Sequence, residues 1–164
     1  MKYLLIITII VGSGIVGKTI SEKYKSRVKF YNNLIKFANL LNLNIYSLNE
    51  GVIGIIDKFC SENSETLKYD YLKIKKLIIS GLSRNDIKNL KMCRELNDIE
   101  IDEVYGFFNI LGKNNFDLQI SLIEKYLCIF NNRLEETKID LKQKGSISYK
   151  LSICAGVMLT ILLI

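Results

Sequence analysis

Two long apolar runs lie at the ends of this chain, and almost all of its charged residues lie between them. The runs extend over residues 3–17 (YLLIITIIVGSGIVG) and 151–164 (LSICAGVMLTILLI), and neither contains a charged residue. A helix of about 15 residues reaches about 22 Å, against about 30 Å for the hydrocarbon core of a bilayer. Lysines at the ends of both runs can extend their ammonium groups to the interface and close this gap. The pattern predicts membrane anchors within residues 1–20 and 148–164.

The interior, residues 21–147, shows apolar residues at helical spacings of three and four. Successive patterns contain Leu34, Phe37, Ala38, Leu41 and Ile45; Val52, Ile55, Ile56 and Phe59; Leu72, Ile74, Leu77 and Ile78; Ile87, Leu90 and Cys93; Val104, Phe107, Phe108 and Leu111; and Ile120, Ile123, Leu127, Phe130 and Leu134. The chain has no proline to interrupt them. The sequence therefore predicts an all-α fold, a helical bundle of about five or six helices between an N-terminal and a C-terminal transmembrane helix.

Several polar and glycine residues predict where these helices begin and end. Gly81 and Gly112 suit helix C-termini, and Ser83 begins a capping pattern for the fourth helix. The fifth helix is expected to be capped near Asp98 or Asp102. The first interior helix is expected to end near residue 46 and can be continuous with the first anchor. The last helix starts near residue 116 and becomes polar beyond residue 134, which predicts a solvated stalk before the second anchor.

The loop charges predict the orientation of the anchors. The basic residues next to the two runs are Lys18, Lys23, Lys25, Arg27 and Lys29 on one side and Lys138, Lys142, Lys144 and Lys150 on the other. Cytoplasmic loops are enriched in Lys and Arg, so the middle of the chain is expected to be cytoplasmic. The net charge is +6. Because the basic residues cluster beside the predicted membrane segments, anionic lipid is favoured over nucleic acid as the partner.

A secretory signal peptide is one alternative for the first run. Its basic start and apolar length fit such a peptide. A small-residue cleavage site of the A-x-A kind is missing near Gly17, however, so an uncleaved anchor is favoured.

A phosphate-binding loop is the other alternative, because residues 12–19 (GSGIVGKT) satisfy the pattern G-x-x-x-x-G-K-[ST]. In that interpretation the backbone between Gly12 and Gly17 cradles phosphate, Lys18 reaches the outer phosphates and Thr19 holds magnesium. The protein would then be a small nucleotide-binding kinase or ATPase. Such a loop needs a parallel sheet beneath it, and the interior shows helical spacing instead. The membrane interpretation is favoured, and the nucleotide enzyme is the alternative.

The remaining chemistry is limited. Cys60, Cys93, Cys128 and Cys154 are far apart, and the chain has no histidine, which argues against a zinc site and against a cysteine nucleophile. Cys128 and Cys154 lie in apolar patterns and are expected to be small buried residues. No catalytic residue, cofactor or metal ligand is predicted. The basic residues of the fourth helix pattern, Arg84, Lys88 and Lys91, could contact a partner, but such a run is more typical of a solvated face.

The order of these features resembles the stage III sporulation protein AB family. The resemblance covers the whole chain and rests on Leu111-Gly112, Asp117, Gln119 with Leu122, Tyr149-Lys150-Leu151, Gly156 and Ile161-Leu162-Leu163, with Leu41 to Ile45 at the family's Leu and Ile before a turn. The chain departs from the family at that turn. The family has Glu-Ile-x-Tyr followed by Thr-Pro-Leu, whereas this chain has Asn44-Ile45-Tyr46 and then Asn49-Glu50-Gly51.

The resemblance implies a non-enzymatic component of the channel, or feeding tube, that joins mother cell and forespore and is needed for endospore formation. It implies a cytoplasmic helical domain similar to that of type II secretion F proteins, held in the mother-cell membrane around the forespore. The implied partners are the other stage III sporulation A channel proteins, including a cytoplasmic ATPase that this platform would couple to the channel. We expect no cofactor and no nucleic-acid partner. Self-association into a homo-oligomer is left open.

Overall fold

The computed structural model describes residues 2–48, 51–113 and 116–163, with side chains for residues 8, 11–45, 51–65, 67–113 and 117–161. Over these ranges the chain forms helices and no strands, so the all-α prediction is confirmed. The helices are α1 (Lys2–Leu48), α2 (Val52–Glu62), α3 (Glu65–Ser80), α4 (Arg84–Lys88), α5 (Asp98–Ile110), α6 (Phe116–Asp140) and α7 (Ser146–Leu163). A 3₁₀ turn (Lys91–Cys93) follows α4, and a π-helical segment (Leu141–Gly145) joins α6 to α7.

The chain divides into two compact units. The helical domain consists of Phe30–Arg133, and the terminal unit consists of Met1–Lys29 with Leu134–Ile164. The predicted continuity of the first interior helix with the first apolar run is confirmed, because α1 is one helix over both. At residues 46–51, where the chain departs from the family pattern, α1 continues to Leu48 and residues 49–50 lie outside the described residues.

The core of the helical domain is built around Phe37. Its ring centroid lies 4.8 Å from that of Tyr71 and 5.1 Å from that of Phe59, both in edge-on or steeply tilted contact. Aromatic pairs in such arrangements add to the stabilisation from apolar burial. The predicted core positions that are buried in the structure are Leu34, Phe37, Ala38, Leu41, Ile45, Val52, Ile55, Ile56, Phe59, Ile74, Ile87, Leu90, Cys93, Val104, Phe107, Phe108, Leu111, Ile123, Phe130 and Leu134. Helical spacing therefore identified most of this core correctly.

Three predicted helix ends are confirmed. Gly81 follows α3 with a φ of 109°, and its N–H donates to the carbonyl of Leu77 at 2.9 Å. Gly112, with a φ of 75°, follows α5 in the left-handed region that favours glycine. Ser83 caps α4: its hydroxyl accepts from the N–H of Asp86, and the Asp86 carboxylate accepts from the N–H of Ser83.

The predicted start of the fifth helix near Asp98 is confirmed, because α5 begins at Asp98. The cap itself is the preceding residue, Asn97, since its side chain accepts from the N–H of Glu100 at 2.9 Å. The Glu100 carboxylate in turn accepts from the N–H of Asn97 at 2.8 Å. This reciprocal pair satisfies two helix-end donors at once, which neither aspartate does here.

The predicted fourth helix is divided in two. Its apolar positions Ile87, Leu90 and Cys93 are all buried as expected, but α4 ends at Lys88 and a 3₁₀ turn follows. The buried Asp70 carboxylate of α3 accepts from the backbone N–H of Met92 at 2.8 Å and from that of Lys91 at 3.4 Å. A buried carboxylate needs such donors, so this contact stabilises the break in the helix.

The cysteines differ in exposure. Cys60 and Cys93 are buried and free, and burial raises the pKa of both thiols. Cys128 and Cys154 are exposed, so the expectation that these two would be buried is wrong. Cys128 lies five residues after Ile123 and two before Phe130, both of which are fully buried. These spacings direct Cys128 away from the core side of α6.

A buried hydrogen bond gives the first testable prediction. The Tyr31 hydroxyl donates to the Glu100 carboxylate at 2.8 Å, and burial and this carboxylate raise the pKa of Tyr31 well above its usual value. Replacing Glu100 with glutamine keeps the shape but makes the acceptor neutral, which should lower the free energy of unfolding by about 1 kcal/mol. Urea denaturation of the full chain in mild detergent measures this. Glu62→Gln, at an exposed position of α2, is the control and should leave stability unchanged; an equal loss in both variants would contradict the prediction.

Candidate functional site

Within the terminal unit, α1 and α7 pack closely at Gly17. A Cβ atom built on Gly17 would lie 2.9 Å from the Cβ of Ser152 and 3.0 Å from the Cα of Tyr149. Further along, a Cβ on Gly145 would lie 3.5 Å from a ring carbon of Tyr24. The two contacts show that α1 and α7 run antiparallel. Small residues that let two helix backbones approach in this way are typical of helix pairs in membranes.

The residues of the predicted phosphate-binding loop lie within α1. The backbone from Gly12 to Thr19 is helical and is preceded by helix rather than by a strand. The Thr19 hydroxyl donates to the carbonyl of Ile15 at 3.0 Å, and the Lys18 ammonium lies 4.0 Å from the Glu22 carboxylate. Helical N–H groups are bonded along the helix and cannot cradle a phosphate. The structure therefore does not assemble these residues into a nucleotide site, and Gly17 has a packing role instead.

The outer sides of the same two helices carry large exposed apolar side chains. Those on α1 are Val11, Ile15 and Val16, and those on α7 are Leu151, Val157, Met158, Leu159 and Ile161. Their exposed fractions run from 42% to 69%. Proteins that face only water rarely leave so much apolar surface uncovered in one region, and such surface marks contact with a membrane or another protein.

The net charge of the chain belongs entirely to the terminal unit. Its two segments contain ten basic and four acidic residues, a net charge of +6, whereas the helical domain contains 13 of each sign. The polar parts of α1 and α7 and the segment between α6 and α7 carry most of this excess. The helical domain therefore has no net charge.

Among the described residues, no helix is both long and apolar enough to cross a membrane. Side chains 1–7, 9 and 10, which make up most of the first predicted anchor, lie outside the described residues, as do side chains 162–164 of the second.

The helical domain has an apolar groove of about 340 Å³ at one end. It is formed by the start of α2, the end of α3 and the turn after α5, and its lining includes Val52, Ile53, Ile78, Ile79, Leu111 and Lys113. Ile53 and Ile79 are 41% and 67% exposed. Sequence patterns had placed Leu111 and Ile78 in helices but had not indicated that they share a groove, because this depends on how three helix ends meet.

Arg84 and Lys88, two of the basic residues expected on a solvated face, form ion pairs within the helical domain. Arg84 pairs with Asp102 and, at 3.2 Å, with Asp98, while Lys88 lies 3.1 Å from Asp98. The Lys91 ammonium lies 5.5 Å from the ring centroid of Tyr69. Exposed ion pairs of this kind add little to the stability of the fold. They do neutralise the charges of the face that carries Arg84 and Lys88. The arrangement is that of a solvated face.

These pairs give a prediction for acid. The ammonium of Lys88 and the guanidinium of Arg84 hold the pKa of Asp98 below its ordinary value of 3.8. A carboxyl whose pKa is lowered on folding stabilises the fold above its unfolded pKa, and this contribution is lost as the pH falls through the folded pKa. Wild type should therefore be slightly more stable than Asp98→Asn at pH 7, and the difference should disappear towards pH 2. Urea denaturation at both pH values measures it; a difference that persists at pH 2 would refute the electrostatic cause.

No metal site is found among the side chains that the structure describes, since no three Cys, Asp or Glu residues there are grouped to hold an ion. Gln119, which the sequence singled out, is buried on α6, and its amide nitrogen has no hydrogen-bond partner among the described atoms.

The family model described as stage III sporulation protein AB matches residues 2–164. No curated protein and no solved structure matches the chain.

Proposed function

Because this chain belongs to the stage III sporulation protein AB family, we propose that it is a non-enzymatic membrane platform of the channel between mother cell and forespore. Membership of the family implies a role in stage III of sporulation. The platform would lie in the mother-cell membrane around the forespore and would couple a cytoplasmic ATPase to the other channel proteins. Its helical domain would be the cytoplasmic part, with a fold similar to that of type II secretion F proteins.

The terminal unit is the observation that carries the membrane part of this proposal. Its paired helices combine a close glycine contact at Gly17, outward apolar side chains and a surplus of basic residues. Each of these features has an ordinary explanation at a bilayer: close packing, contact with lipid tails and the positive-inside rule. No nucleotide chemistry is needed to explain residues 12–19.

The apolar groove supports the platform part. Protein interfaces have apolar centres from which charged residues are depleted, with polar rims. The groove has Ile53 and Ile79 at its exposed edge and Lys113 as its charged lining residue. We place the contact with the ATPase there because the ion-paired face around Arg84 has its charges already satisfied within the domain.

Two isoleucines of similar exposure allow a matched test of that contact. Ile79, at the groove, is 67% exposed, and Ile99, on α5 and outside the groove lining, is 65% exposed. The full-length protein carrying Ile79→Asp should lose copurification with the ATPase, whereas Ile99→Asp should retain it. Equal copurification of both variants would refute the groove as the contact.

Membrane attachment is tested by fractionating cells that contain the full-length protein. We expect it to stay in the membrane after an alkaline wash, to be cleaved within residues 30–133 by protease added from the cytoplasmic side, and to bind no nucleotide. A soluble chain that binds ATP would contradict the proposal and favour a nucleotide enzyme.

A further inference from the structure

We infer that the terminal unit carries a binding surface for anionic phospholipid headgroups, and this inference rests on the proposed membrane function. We call this surface the basic collar. Its members are the exposed lysines Lys18, Lys23, Lys25, Lys29, Lys142, Lys144 and Lys150. They come from two stretches that are far apart in sequence and that the α1–α7 pairing places side by side.

The register of the helix pair determines where the collar lies. Gly17 contacts Tyr149, so the neighbouring Lys18 and Lys150 lie at the same level of the pair. Tyr24 lies seven residues after Gly17 on α1, which is about 10 Å further along the helix. Its ring lies against Gly145, so Lys23, Lys25 and Lys144 lie at this second level. Leu151 lies at the level of Gly17, and the exposed apolar side chains at residues 11–16 and 157–161 lie on the other side of it. The exposed surface of the pair is therefore mainly apolar on one side of this level and mainly basic on the other, where Ile147 and Tyr149 are also exposed.

The charges at this level are strongly one-sided. Residues 18–29 and 140–150 contain eight basic residues against the two carboxylates of Glu22 and Asp140. Asp140 pairs with Lys144 at 2.6 Å, and Glu22 lies 4.0 Å from Lys18. Counted from the sequence, the two stretches together carry a net charge of +6. An anionic membrane surface attracts each nearby Lys or Arg by about 1 kcal/mol, over a screening length of about 8 Å.

The apolar neighbourhood identifies the partner as lipid and not nucleic acid. A nucleic acid would need basic residues along a polar groove or beside stacking aromatics. Here the basic collar adjoins exposed apolar side chains, since Lys18 follows Val16 and Gly17 and Lys150 precedes Leu151. This matches the boundary between the acyl chains and the headgroups of a bilayer. The neutral helical domain adds no competing attraction.

The test uses the full-length protein reconstituted into phosphatidylcholine vesicles that contain traces of spin-labelled phosphatidylglycerol or spin-labelled phosphatidylcholine. Wild type should associate with the anionic probe about three- to fivefold more strongly than with the zwitterionic one at low salt, and about equally at 1 M salt. The triple variant Lys23→Gln, Lys25→Gln, Lys142→Gln should lose most of this preference. The control Lys68→Gln, Lys76→Gln, Lys125→Gln removes the same charge from exposed positions of the helical domain and should keep it.

The other outcomes separate the two proposals. Reconstituted wild type that shows no preference, or an equal loss in both triple variants, would overturn the basic collar and leave membrane attachment intact. Protein that fails to float with vesicles of either lipid would overturn both. Binding of a DNA duplex at 0.15 M salt that the collar variant loses, with no lipid preference, would overturn the lipid assignment and show a nucleic-acid surface.

Discussion

Replacing Phe37 with alanine should lower the free energy of unfolding by about 3–5 kcal/mol. Phe37 is fully buried on α1, and its ring meets those of Phe59, Tyr71, Phe107 and Phe108, from three further helices. Removing it leaves a cavity that four large rings cannot fill without leaving their own contacts. Small domains are stable by only about 5–15 kcal/mol, so much of the helical domain's stability would be lost.

Chemical denaturation of the full chain in mild detergent, followed by far-UV circular dichroism, measures this loss. Ile79→Ala is the control, because Ile79 is 67% exposed and its truncation should change the free energy of unfolding by less than about 0.5 kcal/mol. A loss below about 1 kcal/mol for Phe37→Ala would show that the aromatic rings do not form the core of this domain.

Replacing Gly17 with leucine should destabilise the α1–α7 pair by about 3 kcal/mol, at the upper end of what overpacking costs. The new Cβ would meet the backbone of α7 at Tyr149, 3.0 Å away, as well as the Ser152 side chain. Backbone atoms cannot rotate aside as a flexible side chain can, so the helices must separate. Thermal unfolding of the full chain in detergent measures the effect.

Gly12→Leu is the matched control for that variant. Gly12 also lies in α1, but nothing lies within 4 Å of a Cβ built on it. Leucine favours a helix over glycine, so this substitution should be neutral or slightly stabilising. If both variants lose stability equally, a helix pair packed through Gly17 is excluded.

The sequence was sufficient to predict the helices and most of the core residues, because both depend on the local spacing of apolar residues. Apolar residues three and four apart, such as Leu34, Phe37 and Leu41, face one side of a helix in any fold. Gly81 and Gly112 gave helix ends for the same local reason, since only glycine adopts a positive φ without cost. The cap at Asn97 could also have been found, because Glu100 follows it at the spacing of a capping box.

Features that depend on contacts distant in sequence could not be predicted. The break after α4 needs the carboxylate of Asp70, which lies 21 residues before Lys91. The packing role of Gly17 needs α7, more than 130 residues away, so a complete phosphate-loop pattern was the more visible signal. The groove at Ile53 and Ile79 needs three helix ends to meet, and no single helix pattern records this.

Cys128 and Cys154 offer the most direct test of a membrane platform with a cytoplasmic helical domain. Both thiols are exposed on the surface of the chain, Cys128 on α6 in the helical domain and Cys154 on the outer side of α7. Variants that keep only one of the two would be treated with a charged, membrane-impermeant maleimide in vesicles that have the cytoplasmic face outward. We predict that Cys128 reacts and Cys154 does not, and that both react after denaturation in sodium dodecyl sulfate. Reaction of Cys154 in intact vesicles as fast as Cys128 would contradict the proposal that α7 lies in the bilayer.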